Sequence, residues 1–365
     1  MIYLDNGATS LHKPESVGNA MFWALKCCAN PGRGGHKAAM TAAETVYHTR
    51  ELAATLFHCQ PEQVVFTSNC THGLNIAIRS MVKPGMRVAI SGFEHNAVTR
   101  TLHGLGARLQ IAGRKLFDWE DTLGEFQNAL SSGVDAAVFT HASNVFGYLL
   151  PVEEMAAMCR DRGIPFVIDC AQSAGSQPID FAALGANFLA MPGHKGLLGP
   201  QGTGILLCKD GLEPLIHGGT GSLSLSQQMP QELPDRGEAG TLNVPGIAGL
   251  GEGIRYLLRV GVEAVGIQEH RQMTLCAKGL QKMGMQVFQG PHQGGTVSFI
   301  PQGDCEEFAQ KLGEKGVAVR AGLHCAPLAH ESAGTLKTGT VRVSFGHDAS
   351  RHQTESFLRI AATVY

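Results

Sequence analysis

Between about residue 60 and residue 210, short apolar runs alternate with stretches of helical pattern, and this alternation narrows the possible folds more than any other feature of the chain. The runs are Val64-Val65-Phe66, Val88-Ala89-Ile90, Ala136-Ala137-Val138-Phe139, Phe166-Val167-Ile168 and Gly204-Ile205-Leu206-Leu207. Strands this continuously apolar need cover on both faces, so the pattern predicts an α/β fold with a mostly parallel sheet packed between helices. In such sheets ligands gather at the loops leaving the carboxyl ends of the strands, and the candidate residues are expected there.

Gly218 to Gly240 is rich in Gly, Ser, Gln and Pro without a period, and reads as a long loop closing the first unit. After Pro245 a helical pattern runs through Leu257, Leu258 and Val262 towards Met283, followed by strand and helix signals on a smaller scale. The expected organisation is an N-terminal segment 1–15 packing with the smaller unit, a large domain over 16–248 and a C-terminal domain over 249–365. There is no internal repeat. With 365 residues, 44% of them hydrophobic, the chain can bury a large core. A net charge of -2, with Lys and Arg dispersed, offers no footprint for nucleic acid or an anionic membrane. The first residues lack a targeting pattern and no apolar run is of bilayer length, so a cytoplasmic protein is expected. Ten cysteines in such a chain read as reduced thiols.

Lys195 lies between a strand-like run starting at Phe188 and a glycine-dense turn ending at Gly204. Most lysines in loops snorkel to solvent. Here glycines on both sides allow a ligand to approach the backbone, and a desolvated lysine is the side chain that forms imines with carbonyl cofactors. Asp169, at the end of Val167-Ile168-Asp169, either caps the following helix or is held against a cation. Beside a pyridine nitrogen it would keep that nitrogen protonated and make the ring an electron sink. Gln172 follows it three positions later.

Taken together, Tyr3 to Thr9, Asn30 to His36, Glu94-His95-Asn96, Ser143 to Gly147, Asp169 with Gln172, Gly193-His194-Lys195, Glu238 to Thr241, and Arg320 with His324-Cys325-Ala326 resemble the class V aminotransferase-like enzymes of fold type I. Within them the resemblance is to the cysteine desulfurase and selenocysteine lyase branch. It implies a large domain built on a mostly parallel seven-stranded sheet, a smaller C-terminal α/β domain, and pyridoxal 5'-phosphate as cofactor.

The resemblance also assigns roles. Lys195 looks like the Schiff-base lysine and proton shuttle, Asp169 the partner of the pyridine nitrogen, Gln172 the donor to the phenolic oxygen, and His95 the ring over the pyridine face and the proton carrier. Cys70 and Thr71 match the phosphate-binding turn at a helix start, a natural anion site, with His194 as a further donor. Thr241 resembles a threonine supplied by the partner of a homodimer. Two positions depart from the family pattern, Cys70 and Pro192; both remove a hydroxyl, which places more of the phosphate binding on backbone amides. Arg342, with Asn144, is expected to hold the substrate carboxylate, with Arg320 and His36 as further substrate contacts.

Cys325 resembles the loop cysteine that accepts sulfur as a persulfide, and His324 and His330 are expected to favour its thiolate. A zinc site at His324, Cys325 and His330 lacks a second pair at ligand spacing, so no metal is expected. Only 22 positions separate Arg320 from Arg342, which fits the short-loop group of these enzymes and implies a sulfur-acceptor protein. The expected reaction converts L-cysteine to L-alanine. The alternatives are a selenocysteine lyase or another lyase or aminotransferase on the same fold, and, more distantly, a non-catalytic protein that keeps the fold.

Overall fold

A computed structural model describes residues 1–32 and 34–364; Arg33, within the quoted segment Asn30 to His36, lies outside the described residues. After a two-residue strand Ile2–Tyr3 (β1), seven strands build the main sheet: Val64–Thr67 (β2), Arg87–Ile90 (β3), Arg108–Ile111 (β4), Ala136–Thr140 (β5), Phe166–Asp169 (β6), Phe188–Pro192 (β7) and Gly204–Cys208 (β8). Their order is β2-β8-β7-β6-β5-β3-β4. Strand β8 runs antiparallel to both neighbours, and the remaining pairs are parallel. The fold expected from the alternating runs is therefore the one observed.

Side-chain alternation divides each central strand between two cores, as the pleat requires. Ala137, Phe139 and Ile168 enter the core on one face. Ala136, Val138 and Val167 enter the core on the other. Strand β4 was absent from the apolar runs because it is an edge strand, Arg-Leu-Gln-Ile, exposed or half-buried along its length.

The helical pattern after Pro245 forms two helices, Val244–Val260 and Val262–Lys282, broken at Gly261 with φ +85°. Ile247, Leu250, Ile254 and Leu257 of the first helix join the large core, and the helix packs on Glu15–Cys27 and Lys37–Phe57. The change of core thus falls later than residue 249. Met273, Cys276 and Leu280 of the second helix lie in a third core with Val297, Phe299, Val341, Val343, Phe357 and Leu4. Over this core lie Gln286–Phe288 (β9), Thr296–Ile300 (β10), Arg320–Gly322 (β12) and Thr340–Ser344 (β13) in the order β12-β13-β10-β9, while β1 pairs in parallel with Val317–Ala318 (β11).

The segment 218–240 is irregular apart from the turn Asp235–Gly237. Its end is anchored by Glu238, whose carboxylate takes two hydrogen bonds from Arg50 at 2.9 Å each and one from Phe66 N–H at 2.6 Å. All ten cysteines are free thiols.

Candidate active site

The carboxyl ends of β5, β6 and β7 and the start of the helix Cys70–Met81 converge on one cavity lined by Asp169, Gln172, Lys195, His95, Cys70 and Thr71. Lys195 follows β7 by three residues, and Gln172 follows β6 by three. The two turns lie backbone against backbone: a Cβ on Gly175, whose φ is +94°, would run into the Gly196 carbonyl. Glycine is required there both for the dihedral and for the space. The lysine ammonium is held below its ordinary range because burial disfavours its charge, with Cys70 and Asp169 opposing that effect. A lysine more readily neutral is a better amine nucleophile.

Asp169 is 3% exposed. Its Oδ1 accepts from Ala171 N–H at 2.9 Å and from the Cys70 thiol at 3.5 Å. Its Oδ2 makes no hydrogen bond among the described residues, so a nearly buried carboxylate oxygen is left for a cationic N–H donor. At the other end, Asn69 caps the helix Cys70–Met81 by accepting from His72 N–H at 2.9 Å. The first N–H groups of that helix have no intrahelical acceptor and form an anion site. A group with an anionic tail and a protonatable ring nitrogen fits this donor set; pyridoxal 5'-phosphate has both.

His95 caps the helix Asn96–Gly104, its Nδ1 accepting from Ala97 N–H at 3.0 Å. The neutral ring therefore carries its hydrogen on Nε2 and is a donor. Burial lowers its pKa, with Asp169 opposing and Lys195 reinforcing the shift. Gln172 gives an amide N–H to Gly7 O at 3.0 Å, which leaves one for a ligand. His194 Nδ1 lies 3.0 Å from the Thr9 hydroxyl, and burial first, then Lys195 and Lys13, push its pKa down to about 4.

Arg342 is 1% exposed. It pairs with Asp5 at 2.6 Å and donates to Asn144 O at 2.9 Å, while its Nε has no partner. Asn144 gives an amide N–H to His324 O at 2.7 Å, and the atom left buried without a partner is its acceptor Oδ1. Asn144 thus supports the turn before Cys325, and of the two side chains only the arginine keeps an unmet donor, its Nε. Each unmet buried group costs about 1–3 kcal/mol, which a ligand can relieve.

Cys325 is exposed, and it and His324 both adopt left-handed backbone, φ +56° and +48°. Its carbonyl accepts from Asn96 N–H at 2.8 Å, next to His95. The two histidines do not act as expected. His324 and His330 are 3% and 0% exposed and stack with centroids 5.8 Å apart. Burial pushes them down to about 2 and about 4, so both are neutral and neither supplies a cation to the thiol. Arg320 does, with Nη2 4.0 Å from Cys325 Sγ. His324 Nε2 faces Thr340 O at 3.1 Å, and among the described residues no group of three or more His, Cys, Asp or Glu could hold a metal ion.

Two expected residues stand apart from the cavity within one chain. His36 caps the helix Lys37–Phe57 from an exposed position. Thr241 is exposed and lines a separate cavity of about 660 Å³ between that helix and the 219–242 segment. Asp5 was quoted in a motif without a role, and no local signal marks a carboxylate that meets its arginine 337 residues away. Among the described residues no helix is long and apolar enough to cross a membrane.

Comparison with known proteins agrees with this geometry. The profile of the Aminotransferase class-V family matches residues 2–357. A probable cysteine desulfurase of Pyrococcus abyssi is 32% identical, with 99% of this chain and 93% of that protein covered. One of Methanothermobacter thermautotrophicus is 33% identical, covering 92% and 89%. The apo structure of a cysteine desulfurase from Thermococcus onnurineus NA1 superposes with TM-score 0.90 at 33% identity, covering 100% of this chain and 94% of that one. The chain belongs to the aminotransferase class-V family and, within it, to the cysteine desulfurases.

Proposed function

We propose that this protein converts L-cysteine to L-alanine with pyridoxal 5'-phosphate bound at Lys195, and that the sulfur passes to Cys325 as a persulfide. The observation that carries the reading is the placement of Lys195, Asp169, Gln172 and His95 on one cavity, with the exposed Cys325 tied through its carbonyl to Asn96, the residue after His95, and Arg320 beside its thiol.

The amides at the start of Cys70–Met81, with Thr71 and His194, hold the phosphate; a phosphate beside His194 favours its protonated, donor form. Asp169 Oδ2 keeps a proton on the pyridine nitrogen. When bound, the cofactor withdraws the electron pair left at Cα of the substrate. Lys195 Nζ removes and returns protons on that side, and Arg342 orients the substrate carboxylate. His95, as an Nε2 donor, stabilises an anionic substrate sulfur; to carry the thiol proton it must first release its helix cap. Cys325 Sγ attacks the substrate sulfur, the S–S bond forms as Cβ–S breaks, and the electron pair stays on carbon, which takes the proton to complete alanine. A homodimer would bring Thr241 of a second copy to the phosphate. The short, backbone-tied Cys325 turn suits direct transfer to an acceptor protein that approaches the rim.

The test is alanine formation from cysteine and from selenocysteine, wild type against Cys325→Ala, with a thiol reductant. Loss of cysteine turnover alone is the expected result. Survival of both activities makes the protein a lyase that does not use Cys325, and absence of alanine from wild type overturns the reading.

A further inference from the structure

We infer that Cys70 is a positioning residue for Asp169, its thiol fixing which carboxylate oxygen Asp169 offers to the ring nitrogen of the cofactor. The inference rests on the reading that the cavity holds pyridoxal 5'-phosphate. By its place in the sequence Cys70 belongs to the phosphate turn, and its backbone N–H stays there. Its side chain turns the other way, to Asp169 Oδ1 at 3.5 Å.

Two donors from different elements meet on that one oxygen: the Cys70 thiol from the start of a helix and the Ala171 amide from the exit of β6. They hold the carboxylate against rotation and leave Oδ2 as the oxygen available to the cavity that both side chains line. Asp169 is 3% and Cys70 8% exposed, so bulk water does not replace the thiol. A thiol is a weak donor. It orients the carboxylate while withdrawing less of its negative charge than a hydroxyl would, and the basicity of Asp169 governs how firmly the ring nitrogen keeps its proton.

The same contact keeps Cys70 inert. Burial and the charge of Asp169 raise its pKa well above that of a free thiol, and only a thiolate takes up sulfur efficiently. A cysteine therefore stands inside a sulfur-transferring cavity without competing with Cys325, which is exposed beside Arg320.

The experiment compares wild type with Cys70→Ser, which keeps a donor at the same position in a slightly smaller side chain, and Cys70→Ala. Infrared difference spectra of the apoproteins, wild type minus Cys70→Ala, isolate one S–H stretching band; it is expected below the frequency of a free thiol. The proteins are then loaded with pyridoxal 5'-phosphate and the visible absorption is titrated with pH. Removing the donor is expected to shift the midpoint by about half a pH unit or more, and the stronger hydroxyl donor to shift it in the opposite sense. A free-thiol frequency, or wild-type midpoints in both folded variants, overturns the inference. If wild type develops no visible band with the cofactor, the functional reading itself fails, whereas the infrared band still reports the Cys70–Asp169 contact.

Discussion

Arg320 and Arg342 are direct cross-strand partners in the β12–β13 ladder. Like charges opposite one another are unfavourable in a sheet, and here the two guanidinium groups turn to different partners. Arg342 turns into the protein to Asp5, and Arg320 turns out to Cys325 Sγ.

If Arg320 acts on the thiol through its charge, then Arg320→Gln slows alkylation of Cys325 by the anionic reagent iodoacetate more than by neutral iodoacetamide. A difference of about three- to tenfold between the reagents is expected at low salt, shrinking as salt is added. Equal slowing of both reagents would mean that Arg320 only shapes the turn.

Arg342→Lys keeps a positive charge but loses the planar fork, so KM for cysteine is expected to rise about tenfold or more, with kcat less affected. Asp5→Asn leaves the arginine buried without its counter-ion and is expected to cost about 2–4 kcal/mol, read from the urea midpoint. A fully stable Asp5→Asn protein would show that the pair is not needed for folding.

Gly175→Ala places a Cβ against the Gly196 carbonyl at a φ of +94°. Either the protein loses about 2–4 kcal/mol, or the Lys195 turn moves away from Gln172 and cofactor affinity falls. Unchanged stability together with unchanged cofactor binding would refute the close-packed arrangement of the two turns.

The stability of the protein should be greatest at mildly acidic pH, where the titration windows of its buried carboxyl groups and buried imidazoles overlap and oppose one another. Burial raises Glu269 from 4.5 to about 8, with Asp348 adding to the effect, and raises Glu94 to about 8 against the hydrogen bonds of Ser91 and Thr140. The folded state keeps protons that the unfolded chain releases, so stability falls as pH rises from 4.5 to 8. His141 and His330, depressed from 6.5 to about 4 by burial, act in the opposite sense, and stability falls as pH drops from 6.5 to 4. Glu269→Gln is therefore expected to match wild type near pH 4.5 and to exceed it by about 1–4 kcal/mol at pH 8, in urea denaturation followed by circular dichroism. A constant difference across that range would show that Glu269 does not titrate as described.

The parts of this structure that were legible in the sequence are those whose causes are local. Ala136–Thr140 and Phe166–Asp169 are apolar at successive positions because both faces are covered, and that continuity is visible without knowing the partners. Asp169 and Lys195 could be placed because each closes or follows such a run. Strand β4 was missed because an edge strand keeps polar residues, and the break at Gly261 because one glycine does not interrupt a hydrophobic period. The tie of Asp5 to Arg342 and the turn of Cys70 to Asp169 depend on distant elements meeting. The histidines around Cys325 misled for a related reason: proximity in sequence says nothing about whether a ring ends up charged in water or neutral in a core.

Residues 2–10 lie between units made far apart in the chain. Tyr3 and Thr9 bond to each other, Thr9 and Ser10 donate to His194 O, Gly7 accepts from Gln172, and Gly7 N–H and Asp5 reach Ser344 and Arg342. During synthesis the first of these residues leaves the ribosome more than three hundred residues before β11 and β13, with which they pair. The main sheet, complete by Cys208, can form while this strap is still loose, so the pocket takes its final shape only after Ser344 has been made. A nascent chain arrested before Val317 would carry Lys195 on a formed sheet and yet lack the floor beneath it.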